Sequence, residues 1–211
     1  MREIRNICVY CGAAEGQDPS YLAAAGAFGR ILAEAGVGLV YGGAECGLMG
    51  AAARAALAAG GRVIGVLPDF FNDREIAARG LSELVVVPDM HARKMTMFDR
   101  ADAFVALPGG VGTLEELAEQ LTWIQLGRHD KPLVIANIGG FWRPLLTLLG
   151  HMREAEFIRA PYEVRYLVAE RVEDILPMIL AAAARRGETR GSDGMAIFRA
   201  SAEFERGDSV D

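Results

Sequence analysis

Leu107-Pro108-Gly109-Gly110-Val111-Gly112-Thr113-Leu114-Glu115-Glu116 follows an apolar run, Ala103-Phe104-Val105-Ala106-Leu107, and precedes a helical pattern over 117–126. The order is strand, tight glycine turn, helix start. Three glycines let the backbone turn sharply and approach a ligand without interference from a Cβ. The helix N-terminus adds unpaired N–H groups and a partial positive charge. That combination suits a phosphate, with Thr113 adding a hydroxyl. Glu116, one turn in, sets a carboxylate beside whatever the phosphate is attached to. The same residues admit a structural reading, because Thr113-x-x-Glu116 is also a capping box that would only satisfy the helix end.

Outward from that stretch the same unit recurs. A strand over 4–10 ends at Cys11-Gly12-Ala13-Ala14. Asp18 or Ser20 can cap the following helix, with Pro19 in its first turn and Tyr21, Leu22, Ala25, Phe28, Leu32 and Ala35 on one face. A strand over 37–40 runs into a second glycine-rich turn, Tyr41-Gly42-Gly43-Ala44-Glu45-Cys46-Gly47-Leu48-Met49-Gly50, followed by an alanine-rich helix over 51–59. Further strands are expected over 63–67, 84–87, 132–136 and 166–168. Further helices are expected over 90–100, 142–152 and 172–186, with a short helical piece near 74–79. Strands alternating with helices, and apolar throughout, predict an α/β fold: a Rossmann-like, doubly wound parallel sheet of six to seven strands with helices on both faces. Residues 1–186 form one domain in this reading. Residues 187–211, rich in Gly, Ser, Glu, Asp and Arg, read as a mobile tail. Ligands of such sheets bind at the carboxyl ends of strands, where both glycine turns fall.

Composition narrows the function. The chain carries a net charge of −6 and no lysine-arginine block, which disfavours nucleic acid as a partner. The three cysteines, Cys8, Cys11 and Cys46, make no disulfide framework. Cys8 and Cys11 form a C-x-x-C across a strand and its exit, where the side chains need not meet, and no second pair completes a zinc site. No metal site is expected. No signal peptide is read at the N-terminus and no apolar stretch reaches the length of a membrane span, so a cytoplasmic location is expected.

The motifs Met90-His91-x-Arg93-Lys94 and Pro108-Gly109-Gly110-x-Gly112-Thr113-x-x-Glu116 together resemble the "lonely guy" family of cytokinin riboside 5′-monophosphate phosphoribohydrolases, which older usage calls lysine decarboxylases. The second glycine turn and Thr122-Trp123-x-Gln125-Leu126-Gly127 resemble further segments of that family, and the resemblance covers about residues 4–180. Two positions depart from the pattern. Ala13-Ala14 stand where the family usually has two serines, and Ala44 stands where a third glycine is common.

The resemblance implies hydrolysis of the N-glycosidic bond of a purine nucleoside 5′-monophosphate, with N6-modified adenine as the base and ribose 5-phosphate as the second product. It implies Arg93 and Glu116 as catalytic residues and no cofactor. It implies substrate contacts from Glu75, Lys94, Gly109, Gly110, Val111, Gly112, Thr113, Leu114, Glu115 and Thr122, and a homodimer with sites at or near the subunit interface. The chemistry suits these residue types. Breaking C1′–N9 builds oxocarbenium character that a carboxylate stabilises, as in glycosidases. A guanidinium can meet negative charge on the departing base or hold the phosphate. On helix geometry alone Glu115 is read as solvated, and Glu119, three residues from Glu116, as a supporting group.

Three other functions remain in view. Decarboxylation of lysine normally needs a Schiff-base cofactor, and neither Lys94 nor Lys131, the only lysines, sits in such a motif. A general AMP or nucleotide nucleosidase acting in salvage would use the same groups. A non-catalytic nucleotide-binding module of the same fold would not need Arg93 and Glu116 together.

Overall fold

The computed structural model describes residues 3–72, 78–159 and 163–189. Seven strands pair in parallel: β1 (Asn6–Tyr10), β2 (Gly38–Tyr41), β3 (Val63–Pro68), β4 (Glu83–Val87), β5 (Ala103–Ala106), β6 (Leu133–Ala136) and β7 (Leu167–Ala169). Their order across the sheet is β4-β3-β2-β1-β5-β6-β7. The chain builds outward from β1 to β4, crosses back to β5 beside β1, and then builds the other way. The order therefore reverses between β1 and β5, with Cys8 facing Phe104 and Tyr10 facing Ala106 in register.

Alternation along the strands divides the core into two layers. Ile7, Val9, Leu39, Tyr41, Val105 and Val134 face one side, under helices α1 (Pro19–Glu34), α2 (Gly47–Ala58) and α7 (Val172–Thr189). Cys8, Tyr10, Val40, Ile64, Phe104 and Ile135 face the other, under α4 (Met90–Arg100), α5 (Val111–Gln125) and α6 (Arg143–Glu154). A four-residue helix, α3 (Asp69–Asn72), follows β3, and a 3₁₀ turn, Ile138–Gly140, follows β6. Both faces are covered, which is why the central strands are apolar almost throughout, with Asn6 at the start of β1 the polar residue. β4 is the exception: as an edge strand it leaves Leu84 and Val86 exposed.

Small residues bring α1 and α2 together. A Cβ on Gly29 would overlap the backbone of Ala52, so the alanine-rich sequence of α2 is a close-packing device. Asp18 caps α1 by accepting from the Ser20 amide at 2.8 Å, with Pro19 in the first turn. Cys8 and Cys11 lie in opposite core layers and are free thiols, which rules out a disulfide between them. Burial pushes both thiols well above their ordinary range, so they are held protonated and unreactive. α7 continues three residues past the expected end at 186. The rest of the segment expected as a tail, and most of the short helical piece expected near 74–79, lie outside the described residues. Among the described residues no helix is long and apolar enough to cross a membrane.

Candidate functional site

The exits of β1 and β5 are neighbours and are tied by their backbones. The Gly12 amide donates to the Pro108 carbonyl at 3.0 Å. The Gly12 carbonyl accepts from the Leu48 and Met49 amides, at 3.0 and 3.3 Å. A Cβ on Gly109 would overlap the Thr113 side chain and stand 2.8 Å from the Gly12 amide nitrogen. Glycine is required here by close approach.

α5 begins at Val111 with Gly110 as its N-cap and no side-chain cap. The capping box is therefore not formed: Thr113 and Glu116 sit inside the helix and turn toward the sheet. Both are buried, with Thr113 4% and Glu116 7% exposed. The amides of Val111, Gly112 and Thr113 have no acceptor within the helix, as at any helix start.

These elements wall a cavity of about 530 Å³ at the carboxyl edge of the sheet. Gly109, Gly110, Gly112 and Thr113 line one side, with Arg93, Glu115 and Glu116 beside them. Tyr21, Leu48, Met49, Met90 and Phe141 supply an apolar wall. The first loop contributes Gly12 and the methyl groups of Ala13 and Ala14.

Arg93 projects from α4, whose first turn is capped by Asp89 accepting from the Ala92 amide at 2.8 Å. Its Nε donates to the Val66 carbonyl and its Nη1 to Glu116 Oε1, both at 3.2 Å. Both side chains of this ion pair are only 10% exposed. Burial pushes the Glu116 carboxyl up to about 7; Arg93 opposes that rise, Glu115 adds to it, Lys94 opposes it and Glu119 adds to it. A carboxyl with that poise exchanges its proton near neutrality.

Lys94 is placed differently from Arg93. Its Nζ donates to Glu115 Oε1 at 2.5 Å and to Glu119 Oε1 at 3.0 Å, tying α4 to α5 beside the cavity. Burial works against its charge, but the two carboxylates hold its pKa above the ordinary lysine value. Glu115, read from sequence as solvated, is half exposed and carries that ion pair. Thr122 lies about 13 Å further along α5 than Thr113, exposed, with its hydroxyl donating to the Ala118 carbonyl at 2.8 Å. It does not line the cavity of its own chain. Val111 and Leu114 are exposed on the outer face of the first helical turn. Glu75 lies outside the described residues. Trp123 packs edge-on against Phe98 and under Arg128, away from the cavity.

Sequence reasoning missed Tyr21 and Phe141, whose rings meet edge-to-face at 5.4 Å on the far wall. Tyr21 carried only a helix-face signal, and Phe141 follows a 3₁₀ turn that periodicity does not mark. Among the described residues no group of three or more His, Cys, Asp or Glu is placed to hold a metal ion.

Residues 49–179 match the family model described as "Possible lysine decarboxylase". A cytokinin riboside 5′-monophosphate phosphoribohydrolase of Rhodococcoides fascians is 46% identical over 176 residues, 83% of this chain and 89% of the relative. One from Arabidopsis thaliana is 45% identical over 165 residues, 78% and 76% of the two chains. Among solved structures, the molybdenum cofactor binding protein of Rippkaea orientalis superposes with a TM-score of 0.65 at 23% identity, covering 86% of this chain and 98% of that one. At that identity the likeness is one of fold.

Proposed function

The chain belongs to the family of cytokinin riboside 5′-monophosphate phosphoribohydrolases, and from that membership we propose that it hydrolyses the N-glycosidic bond of purine nucleoside 5′-monophosphates. The C1′–N9 bond breaks, water supplies hydroxide to C1′ and a proton to the base, and ribose 5-phosphate and free base are released. The observation that carries this reading is the buried Arg93–Glu116 pair in the same cavity wall as the open start of α5.

The amides of residues 110–113 and the Thr113 hydroxyl hold the 5′-phosphate. Gly109 leaves the turn tight enough to aim them. That anchor fixes the ribose, so binding energy remote from C1′ is available at the reacting carbon. The Glu116 carboxylate faces the ribose, stabilises the oxocarbenium character and positions water. Arg93 brings planar donors to the departing base and counters the Glu116 charge. Lys94 and Glu115 border the substrate as a paired unit. Val111 and Leu114 flank the phosphate turn, and Glu75 contributes from the segment after α3. Thr122 serves a substrate where a second copy lies against its face of α5, the arrangement a homodimer with interfacial sites supplies. Residues 1–186 are the nucleotide-binding catalytic domain, and the setting is cytoplasmic.

An apolar wall of Tyr21, Leu48, Met49, Met90 and Phe141 favours a base carrying an apolar N6 substituent over plain adenine. The test is direct. The protein is incubated in EDTA with AMP, with isopentenyladenosine 5′-monophosphate and with the two corresponding nucleosides. Free base and ribose 5-phosphate are expected from the monophosphates, faster from the prenylated one, and nothing from the nucleosides. Equal turnover of nucleoside and nucleotide would remove the phosphate anchor. Absence of turnover from every substrate would leave a binding module.

A further inference from the structure

Gly42, at the exit of β2, opens the second glycine-rich turn, and the reaction above gives it no part. Its neighbour Gly43 needs glycine because φ is +80°; Gly42 is not in the left-handed region. What sets Gly42 apart is the group lying on it. A Cβ built there would overlap Arg93 Nη2, and would stand 2.9 Å from Met49 Sδ and 3.3 Å from Arg93 Cζ. The guanidinium is thus bounded on three sides: the Val66 carbonyl at the end of β3, the Glu116 carboxylate on α5, and the bare Cα at the end of β2. None of the three nearest atoms is backbone. A methyl group there displaces a side chain and leaves the strand where it is.

We propose that Gly42 is a positioning residue: the missing side chain at the exit of β2 is what lets the Arg93 guanidinium reach Glu116 while still bonded to β3. The inference rests on the roles given above to Arg93 and Glu116. An added methyl pushes the guanidinium outward, and a misplacement of about 1 Å at a reacting group costs on the order of 10²-fold in rate. It also changes the surroundings of Glu116. Arg93 and Lys94 face that carboxyl from α4, Glu115 and Glu119 from α5 itself, and Cys8, Tyr10 and Cys11 from β1 and its exit. The three β1 groups are held neutral by burial. With Arg93 withdrawn, burial, Glu115 and Glu119 all favour the protonated form, and Lys94 alone opposes them.

Four variants decide it: Gly42→Ala, Arg93→Ala, the double variant, and Gly150→Ala as a control, where an added Cβ meets open space. Two readouts are taken, kcat and KM on isopentenyladenosine 5′-monophosphate and the carbon-13 titration of the Glu116 carboxyl, which needs no substrate. Gly42→Ala is expected to keep its circular dichroism spectrum, lose about tenfold to 10²-fold in kcat with KM little changed, and titrate Glu116 about one pH unit higher. Gly150→Ala is expected to match the wild type in both. If the wild type turns over no nucleotide, the hydrolase reading fails, and the titration alone judges Gly42. If the wild type is active, either readout left unmoved in Gly42→Ala overturns the inference. Should Gly42→Ala not fold, the double variant judges. Recovery of folding once Arg93 is truncated sustains the inference, and failure of both to fold overturns it.

Discussion

Residues 41–50 and 107–113 are both glycine-rich, both leave the carboxyl end of a buried parallel strand, and both run directly into a helix. At the first, the helix start is already used: the Leu48 and Met49 amides of α2 point at the Gly12 carbonyl. Gly47, at φ +57°, is wedged against the Ala13 backbone. At the second, the corresponding residues of α5, Gly112 and Thr113, line the cavity, and Gly110 and Gly112 have open space where a Cβ would be. A glycine turn before a helix is thus either a packing joint or a ligand cradle, and the difference is made by whether a carbonyl from another loop fills the helix end. Here the β1 exit fills one and leaves the other.

The sharpest way to break that contrast is at the groups beside the open turn. Glu116→Gln and Arg93→Ala are each expected to lower kcat/KM by about 10³-fold or more, with the fold retained by circular dichroism. Wild-type rates in either would remove that residue from the reaction.

Beside the open turn, burial carries the Glu116 carboxyl out of its ordinary range. The Glu116 carboxyl titrates near 7 when folded and near its ordinary 4.5 when unfolded. Between those values the folded protein holds a proton that the unfolded chain has released. Its contribution to stability therefore falls as pH rises from about 4.5 to about 7 and is level outside that window. Glu116→Gln removes this dependence, so relative to the wild type it should gain on the order of 3 kcal/mol between pH 4.5 and 8 in urea melts. A difference that is flat with pH would show that the carboxyl is not raised. In the wild type, kcat/KM should climb to a plateau above an apparent pKa near 7.

Next in size is a matched pair of glycine substitutions. Gly47→Ala puts a methyl group into the Ala13 backbone at a positive φ. It should cost about 2 kcal/mol or more and lower the melting temperature by about 5 °C, with the remaining folded protein keeping its KM. Gly112→Ala meets nothing. It should leave the melting temperature in place and raise KM for the monophosphate about tenfold. Identical behaviour of the two would erase the distinction between joint and cradle. The smallest effect is expected at Thr122→Val. Its hydroxyl already bonds the Ala118 carbonyl, so kcat should hold and KM rise by no more than about threefold.

Much of this was legible in the chain. The apolar runs located all seven strands to within about two residues: the inner strands, buried on both faces, have no reason to alternate, and β4 stays apolar although Leu84 and Val86 are exposed. The helix expected over 90–100 has those bounds in the structure, where Asp89 caps its start and Ala101 its end. The starts of α2 and α5 were read several residues late, since both helices begin within their glycine turns, at Gly47 and Val111. Propensity argues against helix there; at α2 the Leu48 and Met49 amides bonded to the Gly12 carbonyl decide otherwise. Arg93 and Glu116 were singled out by their motifs, and the structure pairs them at the cavity. The attachment of Lys94 to Glu115 and Glu119 was not legible, because it depends on α4 and α5 lying side by side. Tyr21 and Phe141 reach the cavity from elements 120 residues apart, a closeness that only the order of the strands creates.

The three backbone hydrogen bonds on Gly12 have one more consequence. They lash the exits of β1, β2 and β5 into a single rigid floor, straddling the line where the sheet reverses direction. The two wings of the sheet therefore cannot gape apart to admit a nucleotide. Traffic in and out then passes over the opposite rim, past Tyr21, Met90 and Phe141.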